Sequence, residues 1–263
     1  MRRFGLCTIF SLIIATVTSS LWLSFLQAQN TTIPTPKYDR CGAIISLPQL
    51  NEKVIYLIFT ADSMFEGGEY ALDILNKRNI KASFFFTGNF LRDTLHNRQI
   101  IERVVNNGHY IGPHSNSHIL LADWDENRTT LVTADSAISD ILTNIAELSI
   151  YGIDTSKVKY IVPPYEWYNK SHIDAYRSVN LLPVNPSPGF LTYRDYTTPD
   201  MDDYYSSDTI WHNFMENIRN RDINGEIIIL HLGTQDARTD KFYYRLPALL
   251  DTLISKGYTP TRL

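Results

Sequence analysis

From residue 54 to the end of the chain, short apolar runs alternate with segments of helical periodicity. The clearest runs cover residues 54–60 (VIYLIFT) and 226–232 (EIIILHL), which are rich in branched and aromatic side chains. Such nearly continuous runs are typical of strands that are buried on both faces. Strands that alternate with helices predict parallel strands joined by crossover helices. The sequence therefore predicts an α/β fold.

The individual elements follow from the same periodicity. The predicted strands cover residues 54–60, 82–87, 110–112, 158–162, 181–184 and 226–232. The predicted helices cover residues 70–77, 100–105, 131–148, 173–179, 210–218 and 246–255. Residues 185–208 interrupt the alternation. Because this segment is long and rich in proline, aspartate and tyrosine, we expect it to form a functional loop over one face of the domain.

The N-terminal segment has a different character. Two arginines at positions 2 and 3 precede an apolar stretch from residue 4 to about residue 26, and the small residue Ala28 precedes a polar segment. This order predicts a secretory signal peptide over residues 1–28 and an exported protein, in the periplasm, at the cell surface or in the medium. The alternative is an uncleaved membrane anchor, since about 20 apolar residues span a bilayer. Cleavage would leave no stable membrane insertion.

The remaining chain is predicted to contain a linker or N-terminal arm at residues 29–50 and one domain at residues 51–263. Loss of Arg2 and Arg3 would leave 22 basic against 28 acidic residues, a formal charge of −6. This balance gives no support for binding to nucleic acid, whose partners usually carry a clustered basic surface. Cys7 would be lost with the signal peptide, and Cys41 alone cannot form an internal disulfide. A metal would therefore need imidazole and carboxylate ligands. The sequence does not indicate an oligomeric state.

Polar residues follow several of the predicted strands at their carboxyl ends. They are Asp62 after the first strand, His114 and His118 after the third, Tyr165 and Glu166 after the fourth, and His231 in a late strand. In parallel α/β folds the loops at this end of the strands converge, and chemistry collects there. The clustering predicts an active site.

His114 and His118 are four residues apart, and one helical turn between them would place both imidazoles on one face. Asp62 would add a carboxylate from another central strand. Three protein ligands with one open position form the ligand set of a hydrolytic zinc site. The alternatives are a pair of surface histidines and, for Asp62, a helix cap near Gly67-Gly68. We expect the three side chains to bind a divalent metal ion, with zinc as the first candidate.

Four segments resemble the motifs of the polysaccharide deacetylase family with NodB homology. They are FTAD at residues 59–62, HSNSH at 114–118, VPPY at 162–165 and IILH at 228–231. The corresponding family motifs are Thr-Phe-Asp-Asp, His-Ser/Thr-x-x-His, Arg-x-Pro-Tyr and Leu-x-Leu-His, and the second is matched in full. The resemblance covers roughly four-fifths of the chain, from residue 54 onward. It implies a single distorted (β/α) barrel with mostly parallel strands.

The resemblance also implies roles for individual residues. The three expected ligands would hold the metal, and His231 would act as the general acid that protonates the leaving group. The backbone N–H of Tyr165 would help to hold the oxyanion, and Pro164, Tyr165 and Trp167 would contact the substrate. Trp167, Tyr168 and Tyr193 are candidates for a rim on which sugars stack, although each is equally compatible with ordinary packing. The implied reaction is the removal of N- or O-linked acetyl groups from an acetylated polysaccharide or oligosaccharide.

Two departures from the family pattern concern the catalytic base. Ala61 stands where the family has its base aspartate, and Val162 stands where the family has the arginine that holds this base. The losses are linked, because an arginine without its carboxylate would be a buried unpaired charge. Glu66 and Glu166 are candidate replacement bases, and the alternative for each is an exposed loop carboxylate. The family's tryptophan-bearing aspartate segment would fall at residues 185–189, where no match is found.

These features leave more than one function open. An active deacetylase is favoured by the retained ligands and His231, whereas the missing base favours a catalytically lapsed member that binds glycan or supports the cell envelope. A hydrolase for another amide or ester would use the same site.

Overall fold

The computed structural model describes residues 35–263, so the predicted signal peptide at residues 1–28 lies outside the described residues. The strands in this range are Lys37–Tyr38 (β1), Ile44–Ser46 (β2), Val54–Ala61 (β3), Ser83–Phe86 (β4), Tyr110–Pro113 (β5), Tyr160–Ile161 (β6), Leu182–Pro183 (β7), Glu226–His231 (β8) and Thr259–Thr261 (β9). The α-helices are Gly68–Lys77 (α1), Gly88–Arg92 (α2), Thr94–Asn106 (α3), Ala134–Leu148 (α4), Lys170–Ser178 (α5), Ser207–Asn220 (α6) and Leu246–Ser255 (α7).

Strand β3 lies at the centre of the sheet, because strands pair with it along both edges. The order of the main sheet is β1-β2-β8-β3-β4-β5. Strand β8 pairs with β3 along most of its length, while β9 pairs with the first residues of β3 and β4 with the last. All of these pairings are parallel, and only β1 and β2 join the sheet antiparallel. The predicted parallel α/β arrangement is confirmed.

Strands β6 and β7 form a small parallel sheet that connects the two edges of the main one. After β7, Val184 forms a parallel bridge with Ile44 of β2. On the other side, the Tyr110 hydroxyl donates to the Tyr160 carbonyl oxygen at 3.1 Å and accepts from the Tyr160 N–H at 2.8 Å. These few contacts replace a continuous hydrogen-bond ladder. The structure is therefore a single distorted (β/α) barrel, as predicted.

The strands separate two hydrophobic cores. Along β3, Tyr56 and Ile58 belong to the core inside the barrel, whereas Leu57 and Phe59 belong to the core between the sheet and the helices. Strand β8 alternates in the same way, because successive side chains of a strand point to opposite faces. His231 ends β8 on the interior side. It pairs in register with Thr60 at the carboxyl end of β3, which brings His231 to the mouth of the barrel.

Residues 35–50, the described part of the predicted linker or N-terminal arm at residues 29–50, belong to the folded domain. They supply β1 and β2 to the sheet, and Cys41 and Ala43 are buried in the core that faces the helices. Within the described residues, the fold shows no break at residue 51. None of the helices in residues 35–263 is long and apolar enough to cross a membrane.

Candidate functional site

His114 and His118 lie in the loop after β5, at the carboxyl end of the sheet. The predicted helical turn between them is wrong, because Ser115 and His118 adopt left-handed backbone conformations with φ of 78° and 49°. A helix cannot pass through such residues. The loop nevertheless brings the two imidazoles together, with ring centroids 5.1 Å apart. The spacing thus identified a close pair, but an irregular turn rather than a helix face produces it.

Helix α4 holds this loop in place. The Asp140 carboxylate accepts three hydrogen bonds, from the Ser115 hydroxyl at 2.6 Å and from the next two backbone N–H groups at 2.8 and 3.1 Å. One turn further along the helix, the side-chain oxygen of Asn144 accepts from the backbone N–H of His114 at 2.9 Å. The left-handed turn therefore has its backbone donors satisfied by one face of α4. Sequence reasoning missed both residues, because nothing local marks a helix residue as the partner of a distant loop.

His114 is held in one tautomer. Its Nδ1 lies 2.8 Å from the carbonyl oxygen of Val162, and a carbonyl can only accept, so Nδ1 carries the proton. The lone pair of Nε2 is then free to bind a metal, which is the usual arrangement of ligating histidines. Burial keeps the pKa of His114 well below its ordinary value, and the charges of His118 and His231 act in the same direction. His114 is therefore neutral at pH 7, as a metal ligand must be.

Asp62 follows β3 and faces the loop after β4. Its Oδ1 accepts from the Thr87 hydroxyl at 2.8 Å and from the Asn89 side-chain amide at 3.1 Å. Burial lowers the pKa of His118, and the negative charge of Asp62 opposes this shift, so the two groups interact electrostatically. Within residues 35–263, no three His, Cys, Asp or Glu side chains are already grouped closely enough to hold a metal ion. The fit to a divalent metal lies in the donor chemistry, two imidazoles and one carboxylate.

Arg92 connects Asp62 with the loop that carries His114 and His118 (the imidazole loop). Its guanidinium donates to the side-chain oxygens of Asn89 at 2.8 Å, Asn116 at 2.7 Å and Glu147 at 2.6 Å. Asn89 in turn donates to Asp62. Both proposed ligand segments are therefore tied to the same guanidinium, which is anchored on α4 through Glu147.

His231 is bound by Asp195, a buried residue of the predicted long loop. The ring Nδ1 of His231 lies 2.7 Å from Oδ1 of Asp195, and the backbone N–H of His231 donates to Oδ2 at 3.0 Å. Burial tends to lower the pKa of His231, but the charge and the hydrogen bond of Asp195 raise it above its ordinary value. Sequence reasoning did not find Asp195. The loop contains several aspartates, and a single sequence offers no signal that selects one of them.

Glu166 lies close to His231 and Asp195. Its Oε1 is buried and has no hydrogen-bond partner among the described residues. Burial raises the pKa of Glu166 to about 7, and the charge of Asp195 adds to the rise, whereas His231 opposes it. Glu166 and the preceding Tyr165 both have positive φ, at 51° and 58°, so the chain turns sharply here. Glu166 is half-buried, and a carboxyl group with one buried, partnerless oxygen and a pKa near neutrality is a candidate proton acceptor.

Glu66 occupies a different environment. Its carboxylate accepts from the backbone N–H of Thr234 at 3.0 Å and from the Lys241 ammonium at 3.0 Å. These contacts tie the loop after β3 to the loop after β8. In the structure Glu66 connects two loops through these contacts, while its assignment as a base stays a hypothesis.

Ala61 and Val162 fill their positions with apolar groups. Both are buried, and Val162 packs inside the barrel with Phe85 and Val184. An arginine at position 162 would place a guanidinium in this apolar cluster, where it would need a carboxylate partner. The two departures are therefore compatible with each other.

The segment Pro164–Glu166 forms a short 3-10 turn beside the imidazoles. The Tyr165 ring packs against the His118 ring, with centroids 4.3 Å apart and a tilt of 34° between the planes. No described residue accepts a hydrogen bond from the Tyr165 backbone N–H. Pro164 is buried. The Trp167 indole N–H donates to the Asp123 carbonyl oxygen at 2.9 Å. Of the expected substrate-binding residues, Tyr165 contacts an imidazole directly, and Pro164 and Trp167 lie on either side of the Tyr165–Glu166 pair in the chain.

Comparison with known proteins identifies the family of the chain. The profile of the family described as polysaccharide deacetylase matches residues 48–184, which include Asp62, both loop histidines and Glu166 but not His231. A Bacillus subtilis peptidoglycan-N-acetylmuramic acid deacetylase is 36% identical over 131 residues, which cover 49% of this chain and 43% of the relative. A Bacillus cereus peptidoglycan-N-acetylglucosamine deacetylase is 26% identical over 183 residues, 69% of this chain and 56% of the relative. The alignments therefore span less than two thirds of both relatives.

Solved structures share the fold. A CE4 family pseudoenzyme from Bacillus anthracis superposes with a TM-score of 0.61 at 18% identity, covering 88% of this chain and 68% of that one. At this identity the likeness concerns the fold alone.

Proposed function

Because the chain belongs to the polysaccharide deacetylase family, we propose that it is an exported, metal-dependent hydrolase that removes N- or O-linked acetyl groups from a polysaccharide. One observation carries the proposal. The His114–His118 pair, Asp62 and the Asp195-bound His231 lie within electrostatic reach of one another at the carboxyl end of the sheet. Metal-dependent hydrolysis of an acyl group uses such ligands to activate water and a proton donor for the leaving group.

Asp62, Nε2 of His114 and the ring of His118 would hold the metal, for which zinc is our first candidate. When bound, a divalent ion supplies Lewis acidity, which activates water at neutral pH and polarises the acyl carbonyl. The chain contributes the positions of the ligands. The Val162 carbonyl orients His114, and Thr87 and Asn89 orient Asp62.

Glu166 is our candidate for the missing base. Its buried oxygen has no partner to compete for a proton, and its pKa of about 7 suits proton transfer at neutral pH. Glu66 remains a second candidate, but it would have to leave Lys241 and Thr234 to act.

The remaining steps use groups that are already oriented. The Tyr165 N–H would donate a hydrogen bond to the carbonyl oxygen as negative charge develops on it. His231, whose pKa is raised by the charge and the hydrogen bond of Asp195, would transfer the proton on Nε2 to the leaving amine or alcohol. The partner would be an acetylated polysaccharide or oligosaccharide that contacts Pro164, Tyr165 and Trp167.

A second function is favoured by a specific observation. Ala61 and Val162 remove the usual base and its arginine, and the fold resembles that of a CE4 family pseudoenzyme. A catalytically lapsed chain that binds glycan or supports the envelope would keep the binding site but would not hydrolyse the substrate.

Acetate release decides between these functions. The protein without residues 1–28 is incubated with acetylated chitin, acetylated xylan and peptidoglycan fragments, with and without zinc. We expect release that is lost on chelation and in His114→Ala but kept in His96→Ala, which removes an exposed histidine that pairs with Asp93. Zinc binding without release from any of these glycans would contradict the hydrolase and support the lapsed member.

A further inference from the structure

Trp124 is more than half exposed, at 58%, although its indole is large and apolar. It lies in the segment between the imidazole loop and α4. Two contacts make this segment rigid: Ala122 bridges Thr130 antiparallel, and the Asp125 carboxylate accepts from the Thr129 N–H at 2.9 Å. The fold therefore holds a large aromatic surface in water at a defined position. Single exposed apolar side chains are common on protein surfaces, so the neighbours of Trp124 decide whether it belongs to a binding site.

The exposed indole is continuous with the candidate active site. The Trp124 ring lies 6.0 Å from the Tyr165 ring, and the two planes are perpendicular at 89°. Tyr165 is itself 43% exposed, and its ring packs against the His118 ring at a tilt of 34°. The two rings thus form an aromatic corner, with Trp124 as the outer wall and Tyr165 as the wall nearest to the imidazoles. We call this pair the Trp124–Tyr165 corner.

Other aromatic side chains in this region are less available. Tyr168 is fully buried, and its hydroxyl donates to Asp39 at 2.8 Å. Trp167 lies beneath the guanidinium of Arg128, which is 3.7 Å from its ring centroid, and beside Trp124 at 5.2 Å. Trp167 therefore packs against the corner and offers less free ring surface to a ligand than Trp124 does.

The charge around the corner restricts its ligand. Asp123, Asp125 and Glu126 flank Trp124 in the chain, and all three are exposed. Arg128 is the one basic residue of residues 119–133, and its guanidinium lies over Trp167, so acidic groups predominate here. Carboxylates on a rim repel an anionic polymer and attract a cationic one. A glycan that carries many carboxylates would meet like charges here. A neutral sugar or one with a free amine would not.

We propose that the Trp124–Tyr165 corner binds a neutral or amine-bearing sugar ring of the glycan, next to the ring that is deacetylated. This inference rests on the proposed function and narrows its substrate to polymers of neutral or amine-bearing sugars that carry few carboxylates. The apolar C–H face of the sugar packs on the indole, while its hydroxyl groups stay in water. Tryptophan and tyrosine suit this role because they combine a large apolar face with a polar edge.

The test compares Trp124→Ala with Tyr244→Ala, which removes an equally exposed tyrosine near α1. Calorimetry measures binding of the N-acetylglucosamine tetramer, its partly deacetylated form and a galacturonic acid tetramer. We expect Trp124→Ala to weaken binding of the first two about tenfold and to raise KM with little change in kcat, whereas Trp124→Phe keeps part of the affinity. Thermal melting confirms that each variant is folded.

The outcomes separate this inference from the proposed function. Equal affinity of Trp124→Ala and Tyr244→Ala for the N-acetylglucosamine tetramer would overturn the corner, whether or not acetate is released. Binding of the galacturonic acid tetramer as tight as that of the neutral one would overturn the charge selection. Tetramer binding that depends on Trp124, without acetate release by the wild type, would support the corner and reject the hydrolase.

Discussion

The Asp195 carboxylate binds both the ring and the backbone of His231, with Oδ1 2.7 Å from Nδ1 and Oδ2 3.0 Å from the backbone nitrogen. The carboxylate oxygen can only accept, so Nδ1 carries a proton and Nε2 is the atom that exchanges protons with a substrate. The same contact joins the long loop to the end of β8. One aspartate therefore sets the position, the tautomer and the pKa of the proposed acid.

Asp195→Asn keeps the shape of this side chain and removes its charge. The pKa of His231 should fall, because the charge of Asp195 raises it against the effect of burial. Since the acid acts in its protonated form, the alkaline limb of kcat against pH should move to lower pH, and kcat should drop by about 10²-fold or more. Asp202→Asn, an exposed change in the same loop, is the control. An unchanged pH profile in Asp195→Asn would rule out His231 as the acid.

Glu166→Gln should lower kcat by roughly 10²–10⁴, the usual cost of losing a general base. The base must be unprotonated, so wild-type activity should decline as the pH falls below about 7, and this acid limb should disappear in the variant. Glu66→Gln should chiefly lower the melting temperature, since it weakens the contact with Lys241. If kcat stays within tenfold of wild type in both variants, neither glutamate is the base.

Asp140→Asn should weaken zinc binding by about 10–100-fold, the range found when groups that orient metal ligands are lost. The new amide cannot accept all three hydrogen bonds from the loop that carries His114 and His118. Calorimetric titration with zinc measures the effect without depending on activity. Asp135→Asn changes an exposed acid of the same helix and should leave the affinity unaltered. Equal zinc affinity in the two variants would show that α4 does not position the ligands.

His109 predicts a pH dependence of stability. It is buried, its Nδ1 accepts from the Ala82 N–H at 3.1 Å, and burial, with the charges of Lys81 and Arg262, lowers its pKa to about 4. The unfolded chain binds this proton at a pKa near 6.5. Stability from His109 is therefore complete above pH 6.5 and declines as the pH falls towards 4, by up to about 3 kcal/mol.

Chemical unfolding at pH 7 and pH 4.5 tests this dependence. His109→Asn keeps an acceptor for the Ala82 N–H but cannot be protonated, so its stability should change less between the two pH values. His96→Asn removes an exposed histidine and should behave like the wild type. A fall in stability as large in His109→Asn as in the wild type would assign the dependence to other groups.

Part of the fold could be predicted from local patterns of apolar residues in the sequence. Helix α7 occupies residues 246–255 as predicted, and β3 and β8 end within one residue of their predicted bounds. These elements are strongly apolar, so their periodicity reports burial directly. The weaker strands β6 and β7 are shorter than predicted, because few residues there pair with a neighbouring strand.

The amino-acid sequence by itself determined the α/β alternation, the family and the side chains that end the central strands, since each depends on residue identity and local spacing. The tertiary structure decided how these side chains are held. The left-handed turn at Ser115 and His118 needs Asp140, 23 to 25 positions away, and His231 needs Asp195, 36 positions away. Such partners come together only when the barrel closes. One aspartate in a loop that contains several differs from the others only in its position in the folded chain.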